Sequence, residues 1–249
     1  MPYIDVAGRQ TWHEVSGSGE PVVLLHGAFA GASSWFAQTP ALVDAGYRVY
    51  VPERRGHGHT PDVEGPLTYS VMADDTIAYL DAAVAEAAHL IGWSDGAVVG
   101  LLVAQRRPDL VKRLVLIGQY YNTSGKATGG ITEALDELDS EVVTFLRDAY
   151  AAESPDGIDH FPVIYAKTMQ MLNTEPEIEL STLTDVTAPT LVLQGDRDEV
   201  TVEHSQAVAA TLPGGRLAVL PGTHLLPLEM PAVVNALLLY FLRGDPQEA

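Results

Sequence analysis

The sequence Gly92-Trp93-Ser94-Asp95-Gly96 has the Gly-x-Ser-x-Gly pattern of a serine held in a sharp turn between a strand and a helix. Its surroundings fit this pattern, because an apolar run precedes it and Val98 and Leu101 then recur at helical spacing until Pro108. Such a turn strains the backbone, so the residues two before and two after the serine must be small. Gly92 and Gly96 meet that requirement.

Short apolar runs on both sides of this turn indicate further strands. They alternate with helix-like stretches, which is typical of a mostly parallel sheet with crossover helices. An opening run at 10–15 alternates enough to predict an antiparallel strand. The predicted buried strands lie at 22–25, 47–51, 111–117, 190–194 and 216–220. We therefore predict an α/β fold whose mostly parallel central sheet is flanked by helices.

The spacing of apolar residues predicts two helices outside the serine turn. Thr68 is a suitable N-cap, and small or apolar residues recur every four positions from Met72 to Val84. The second is an amphipathic closing helix at 231–242.

The 249 residues suit one α/β domain with an insertion. Between about 123 and 186 the strand-like runs vanish, and glycines and prolines break up short helical pieces. We expect this segment to lie above the carboxyl ends of the sheet as a short helical lid. The predicted division is a first part of the core at 1–123, the lid insertion at 124–186 and a second part of the core at 187–249.

Fourteen Lys and Arg residues stand against 33 Asp and Glu residues, which gives a formal net charge of −19. That charge repels nucleic-acid phosphates and anionic lipid headgroups, so neither nucleic acid nor a membrane is an expected partner. The absence of cysteine excludes a disulfide, a thiolate nucleophile and a cysteine-ligated metal. The first residues do not resemble a secretory signal, and no apolar run would span a bilayer. The expected location is cytoplasmic.

A serine hydroxyl needs a general base to accept its proton and an acidic residue to orient that base. His224 and Asp198 each follow a predicted strand, where the active sites of open α/β sheets collect. The chain order Ser94, Asp198, His224 is the order expected of nucleophile, acid and histidine in such a fold. Asp196 is the alternative acid, because it lies closer to the end of its strand.

An acyl-transfer site also needs backbone N–H groups aimed at the oxyanion that develops on the carbonyl oxygen. The segment His26-Gly27-Ala28-Phe29 directly follows the first buried strand, as the partner loop of the serine turn should. We expect the oxyanion-hole donors to be the main-chain amides of Ala28 and Asp95. His26 is interpreted as a residue that orders this loop.

Five segments carry a resemblance that covers nearly the whole chain. They are His26-Gly27-Ala28-Phe29, Arg54-Arg55-Gly56-His57-Gly58, Gly92-Trp93-Ser94-Asp95-Gly96, Gly195-Asp196-Arg197-Asp198 and Gly222-Thr223-His224. In them the chain resembles the α/β-hydrolase fold family, which includes esterases, lactonases, cofactor-free haloperoxidases and carbon–carbon bond hydrolases. The resemblance implies an α/β-hydrolase core with a lid and no metal or organic cofactor. Ser94 argues against the epoxide hydrolases and haloalkane dehalogenases of this family, which carry an aspartate nucleophile.

The residue after the serine is a carboxylate, Asp95. The turn is similar to that of the biphenyl-hydrolase-like group, which includes hydrolases of amino-acid esters, although Ala97 stands where that group has a further glycine. A carboxylate beside the reacting centre would pair with a substrate ammonium. The alternative is that Asp95 turns away and bonds the amides of its own helix or a cap residue.

The expected substrate pocket combines residues beside the two oxyanion segments with aromatic residues in and near the lid. They are Phe29, Trp93, Asp95, Tyr120, Tyr121, Phe161 and Tyr165. The alternative for the aromatic residues is that they pack the lid against the core.

The sequence thus predicts a serine hydrolase of small carboxylic esters, amino-acid esters and lactones among them, that works through an acyl-enzyme. The expected partner is a small-molecule ester. Two alternatives stay open: the same triad cleaves a carbon–carbon bond, or the protein binds a ligand without turnover.

Overall fold

In the computed structural model, which describes residues 2–127 and 131–244, eight strands form one sheet. They are β1 (Tyr3–Val6), β2 (Arg9–Gly17), β3 (Glu20–Leu25), β4 (Tyr47–Pro52), β5 (Ala88–Trp93), β6 (Val111–Ile117), β7 (Thr190–Gly195) and β8 (Gly215–Leu220). Their spatial order is β1-β2-β4-β3-β5-β6-β7-β8. The β1–β2 and β2–β4 pairs are antiparallel and every other pair is parallel. The predicted mostly parallel sheet is confirmed.

Helices cover both faces of this sheet. They are α1 (Gln38–Asp44), α2 (Tyr69–Tyr79), α3 (Asp95–Arg106), α4 (Ile131–Ala134), α5 (Glu141–Glu153), α6 (Phe161–Thr174), α7 (Val202–Thr211), α8 (Leu226–Glu229) and α9 (Pro231–Leu242). Short 3₁₀ turns lie at Ala32–Trp35, Pro108–Leu110, Thr123–Gly125, Ile158–His160 and Leu180–Asp185. None of the helices in the two described ranges is long and apolar enough to cross a membrane.

The buried strand β3 explains how one sheet supports two cores. Successive side chains of a strand point to opposite faces. Val23 and Leu25 pack in the core under α2, α3 and α7, whereas Val22 and Leu24 pack in the core under α1 and α9. All four side chains are fully buried, which is why this strand has an unbroken apolar sequence.

Two elements differ from the sequence prediction. The edge strand β1 was not predicted, because it has four residues and buries only Val6, too short a pattern to detect. The helix predicted to run to Val84 ends its α-helical part at Tyr79. A π-helical turn, Leu80–Val84, follows, and Ala85 ends it in the left-handed conformation with φ 58°. The apolar spacing continues through this turn because Leu80 and Val84 are both buried.

The helices α4, α5 and α6 lie between β6 and β7, in the segment where we expect the lid. They contribute most of a third, smaller hydrophobic cluster that includes Leu135, Tyr150, Phe161 and Leu172. The lid boundaries at 124 and 186 remain a prediction, and residues 128–130 fall outside the described residues.

Thr68 caps helix α2, since its side-chain oxygen accepts the Val71 N–H at 3.1 Å. We expect Thr68→Ala to lower the free energy of unfolding by about 1 kcal/mol. Thr201 holds the same position at α7 but makes no side-chain cap hydrogen bond. Thr201→Ala is therefore a matched control with a smaller expected loss. Urea unfolding of both variants tests this, and equal losses would contradict the capping role.

Candidate active site

Ser94 lies at the tip of the turn between β5 and α3, and its backbone has a positive φ of 56° with ψ −121°. Its N–H donates to the Ile117 carbonyl at 2.8 Å, which ties the turn to β6. A Cβ on Gly92 would overlap the Gly96 carbonyl, and a Cβ on Gly96 would overlap the Leu25 carbonyl. Only glycine fits at both positions, so the Gly-x-Ser-x-Gly pattern has a direct steric cause.

His224 and Asp198 lie in the loops after β8 and β7 and form a hydrogen-bonded pair. Nδ1 of His224 is 2.8 Å from Oδ1 of Asp198, and that oxygen also accepts the Val200 N–H at 3.2 Å. The Asp198 side chain is 1% exposed. The His224 carbonyl accepts the indole N–H of Trp93 at 2.8 Å, which ties the histidine loop to β5. Ser94 and His224 line the same cavity.

Asp196, the alternative acid in the sequence, makes a different contact. Its Oδ1 accepts the Gly222 N–H at 2.9 Å, and its side chain is 55% exposed. Asp196 therefore braces the two loops, whereas the imidazole of His224 is paired with Asp198.

The environment of His224 stabilises the charged imidazole relative to a free imidazole in water. Burial opposes the charge, but the hydrogen bond and the negative charge of Asp198 outweigh it, so the pKa of His224 is raised above 6.5. Gly118, with φ 59°, packs against the ring, and a Cβ there would be 2.8 Å from Nδ1. This packing limits the positions that the imidazole can adopt.

The Gly27–Ala28 peptide runs beside Ser94. A Cβ on Gly27 would be 3.3 Å from Cβ and 3.8 Å from Oγ of Ser94. The Gly27 carbonyl accepts from Arg54 Nη2 at 3.0 Å and pairs with His26 Nδ1 at 2.8 Å. Because a trans peptide points its N–H opposite to its C=O, the Ala28 N–H is directed away from Arg54 and His26. Ala28 lines the cavity that contains Ser94.

The two side chains that hold this peptide differ in charge. His26 Nε2 accepts the Arg54 N–H at 3.1 Å, so Nδ1 carries the ring proton and donates to the Gly27 carbonyl. Burial, followed by the charge of Arg54, holds the pKa of His26 well below its usual value. Burial also lowers the pKa of Arg54 to about 10, against the opposing effect of Asp95. A neutral histidine and a charged arginine thus support one carbonyl.

The Asp95 carboxylate turns away from the cavity. It is 1% exposed, its Oδ1 accepts the Tyr69 hydroxyl at 2.6 Å, and it is absent from the cavity lining. Burial raises the pKa of Asp95, although the charge of Arg54 opposes the rise. The prediction of Asp95 as a pocket residue is therefore wrong for its side chain, because the partner that orients it lies on helix α2. The alternative in which Asp95 turns away is right about the direction of the side chain but wrong about its partner, since the carboxylate bonds Tyr69 of α2 and not the amides of its own helix or a cap residue.

A cavity of about 560 Å³ surrounds Ser94 and His224. Of the predicted pocket residues, Phe29, Trp93 and Tyr120 line it, while Tyr121, Phe161 and Tyr165 do not. Tyr121 instead stacks on His204 with ring centres 3.9 Å apart. Phe161 is buried in the small hydrophobic cluster of α5 and α6. Tyr165 packs against Phe161, with ring centres 5.9 Å apart.

Several residues that line the cavity were not predicted. They are mainly in the 3₁₀ turn after β3, in helix α5 and beside the loop of Asp198, and they include Phe36, Phe145, Lys126, Glu153 and Glu199. Phe145 is 70% exposed on α5. Val142 and Ala149, three residues before and four after Phe145, also line the cavity, and this helical spacing of apolar residues is a sequence signal for the pocket. Lys126 belongs to no motif.

Within residues 2–127 and 131–244, one group of carboxylate and imidazole side chains is close enough together to ligate a metal ion. Ligand atoms of Glu53, His59 and Glu153 lie within 4.8 Å of one another. The Glu53 carboxylate already accepts the N–H groups of Ala32 at 3.0 Å and of His59 at 2.5 Å. These contacts show that the Glu53 carboxylate holds two loops together, so we assign Glu53 a structural role.

A serine in a glycine-lined turn, a histidine–aspartate pair and helices over the carboxyl ends of a mostly parallel sheet together define the α/β-hydrolase class. The chain belongs to the alpha/beta hydrolase family, whose model matches residues 22–237.

Comparison with known proteins identifies relatives of several kinds. RutD of Azorhizobium caulinodans is 27% identical over 97% of this chain and 98% of its own length. The pimeloyl-(acyl-carrier protein) methyl ester esterase of Aromatoleum aromaticum is 44% identical, but over only 39% of this chain and 36% of its own. The solved structure of CarC, a serine hydrolase involved in carbazole degradation, covers 98% of both chains with a TM-score of 0.81 at 22% identity. This last likeness concerns the fold.

The buried carboxyl of Asp95 should make stability depend on pH. Its pKa is raised in the folded protein, so the folded state holds this proton more tightly than the unfolded chain, and ionisation of Asp95 destabilises the fold as pH rises. We expect Asp95→Asn to gain stability relative to the wild type as pH rises above about 4, where aspartates of the unfolded chain ionise.

Urea unfolding at several pH values measures this difference. Tyr69→Phe is a second variant, because it removes the hydroxyl that donates to Asp95 and so raises the pKa of Asp95 further. The free energy of unfolding of this variant should fall more steeply with rising pH than that of the wild type. A difference between Asp95→Asn and the wild type that does not change with pH would contradict the buried, ionisable state of this carboxyl.

Proposed function

We propose that the protein is a serine hydrolase of small carboxylic esters, cyclic esters included. The observation that carries this proposal is the 2.8 Å pairing of His224 with Asp198 in a cavity that His224 shares with Ser94. A serine, a histidine and an acid in this relation form the catalytic unit of acyl transfer. The Asp95 carboxylate is outside the cavity wall, so a substrate ammonium is not part of the proposal.

In the proposed reaction, Oγ of Ser94 attacks the ester carbonyl carbon while its proton passes to Nε2 of His224. Asp198 holds Nδ1 of the imidazole and stabilises the imidazolium that forms. The tetrahedral intermediate collapses, the carbon–oxygen bond to the alcohol breaks, and His224 gives its proton to the departing oxygen. Water then attacks the acyl-enzyme with His224 as base, which releases the acid and restores the serine.

The oxyanion of the intermediate is assigned to the main-chain N–H groups of Ala28 and Asp95. Arg54 and His26 bind the Gly27 carbonyl from the opposite side and so orient the Ala28 N–H before substrate binds. A preorganised donor of this kind lowers the barrier by about 3 kcal/mol. Arg54 and His26 therefore act as positioning residues, at a distance of one peptide from the reacting oxygen.

The names of two relatives are consistent with acyl-group hydrolysis. One partial match is named as a methyl ester esterase, and RutD is named as a candidate carbamate hydrolase. An ester and a carbamate both offer a carbonyl carbon to a nucleophile and an oxygen that becomes an oxyanion. These names support the reaction class, and the choice of an ester rests on the site.

Ser94→Ala should lower kcat for hydrolysis of p-nitrophenyl butyrate by about a millionfold, because the nucleophile is lost. Unfolding should stay cooperative, since the change removes a single hydroxyl. Ser33 lines the same cavity, and Ser33→Ala is a matched control that should stay within about tenfold of the wild type. Comparable rates for Ser94→Ala and the wild type would refute the assignment of the nucleophile.

Asp198→Asn should reduce kcat/KM by roughly three to four orders of magnitude, because the imidazole loses its orienting acid. Asp196→Asn, a matched change in the same loop, should stay within about threefold. The reverse ranking would mean that the acid is Asp196.

The pH profile gives a further test of the same pair. His224 must be neutral to act as a base, so kcat/KM should rise with pH through a midpoint above 6.5. Asp198→Asn removes the group that raises the pKa of His224 and leaves burial, so its midpoint should move to lower pH. A folded wild type that hydrolyses no activated ester would favour carbon–carbon cleavage or binding without turnover.

A further inference from the structure

The cavity contains a cationic side chain that the proposed reaction does not use. Among the residues described around Ser94, Lys126 is the one lysine or arginine in the cavity wall. Most of that wall is apolar, and an ammonium placed there loses hydration. Burial accordingly lowers the pKa of Lys126, while the negative charges of Asp95, Asp136 and Glu199 oppose the decrease.

The backbone of Lys126 is fixed relative to the loop that carries Asp198. Lys126 forms an isolated antiparallel bridge with Val200. On either side of it, the Ala127 N–H donates to the Glu199 carbonyl at 2.6 Å and the Thr201 N–H donates to the Gly125 carbonyl at 3.0 Å. The lysine is thus held two residues away from Asp198 by main-chain hydrogen bonds.

The ammonium itself is positioned by two neighbours. It donates to the Leu172 carbonyl in the last turn of α6, and it lies 5.2 Å from the ring centre of Tyr120. An ammonium has three N–H donors, and the Leu172 carbonyl accepts one. Leu172 and Tyr120 line the cavity together with Lys126, so the charge is presented at the cavity wall.

We propose that Lys126 forms a subsite for a carboxylate carried by the substrate at a distance from the scissile bond. The inference rests on the proposed ester hydrolysis and specifies its substrate class, namely esters that bear a free carboxylate, such as half-esters of dicarboxylic acids. A charge-assisted hydrogen bond from a partly desolvated ammonium is stronger than a neutral one, which makes the charge a basis for selection.

The remainder of the wall suits the chain between the ester and the carboxylate. Phe36, Phe145 and Leu228 are exposed to solvent and also line the cavity. Exposed apolar side chains at a cavity mouth are typical of a site that binds apolar groups. A short hydrocarbon chain would cover them, with its carboxylate at Lys126.

Two carboxylates, Glu153 and Glu199, line the same cavity as Lys126. Their negative charge would oppose the binding of an acidic substrate. Glu199 interacts electrostatically with Lys126, as do Asp95 and Asp136 from outside the cavity wall, and all three negative charges weaken the attraction of Lys126 for an anion. Glu153 lies instead beside Glu53 and His59, at the Gly31 side of the cavity. Glu199→Gln should therefore strengthen the preference for an acidic substrate.

The test compares matched esters at neutral pH. Monomethyl esters of succinic, glutaric and adipic acid are each paired with the methyl ester in which an isopropyl group replaces the free carboxyl. Acetate esters of hydroxy acids, paired in the same way, carry the carboxylate on the alcohol side. The wild type should prefer the acidic member of at least one pair by about tenfold in kcat/KM, which corresponds to about 1.4 kcal/mol.

Variants separate recognition from structure. Lys126→Met keeps the length of the side chain and should abolish the preference while the neutral ester is still hydrolysed. Lys126→Arg should retain the preference. Lys112, near the start of β6, is a matched control because its ammonium pairs with Glu20 and is absent from the cavity wall. Lys112→Met changes the net charge by the same amount as Lys126→Met and should leave the preference for the acidic ester unchanged.

The results distinguish failure of the subsite from failure of the proposed function. A wild type that hydrolyses both members of every pair equally, or a Lys126→Met variant that keeps the preference and loses only thermal stability, would overturn the subsite alone. The second result would mean that Lys126 only caps α6. A wild type no more active than Ser94→Ala on every ester would overturn both proposals.

Discussion

Three stretches of backbone approach each other so closely that side chains would separate them: the end of β3, the end of β5 and the first turn of α3. The missing Cβ atoms of Gly92 and Gly96 permit this approach, and Gly27 extends it to the loop beside the serine. A glycine also permits close contact between the loops after β7 and β8, because a Cβ on Gly195 would overlap the Gly222 carbonyl. Steric contacts between backbones therefore set the distances within the site, before any side chain contributes.

A layer of buried charge lies beneath these loops. Within the described residues, Nε and Nη1 of Arg54 and Oδ2 of Asp95 are buried without hydrogen-bond partners. Burial of either charge is unfavourable, and the attraction between the two offsets part of that cost. Arg54 also supports the Gly27 carbonyl, so the unfavourable burial is coupled to the orientation of the neighbouring peptide. Asp95 thus contributes to the site through its main chain and its charge, with its carboxylate turned toward Tyr69.

Local sequence predicts the parts of the site that depend on strand ends. Ser94 follows β5 directly, Asp198 and His224 lie in the loops that begin after β7 and β8, and the strand positions can be read from short apolar runs. The direction of a side chain depends on distant neighbours, so it could not be predicted. Asp95 is oriented by Tyr69, 26 residues earlier, and Tyr121 is held by His204, 83 residues later. Both contacts require the packing of whole helices, which no local pattern encodes.

The small hydrophobic cluster of α5 and α6 has its own set of buried side chains, separate from the two cores that flank the sheet. Met171 of α6 is an exception, because it packs in the core under α2 and α3. Substitutions within the small cluster itself can accumulate without disturbing the sheet beneath it. In evolution and in protein engineering, such a cap can be exchanged between relatives as a unit. New substrate ranges can then arise while the serine, the histidine and the carboxylate keep their spacing.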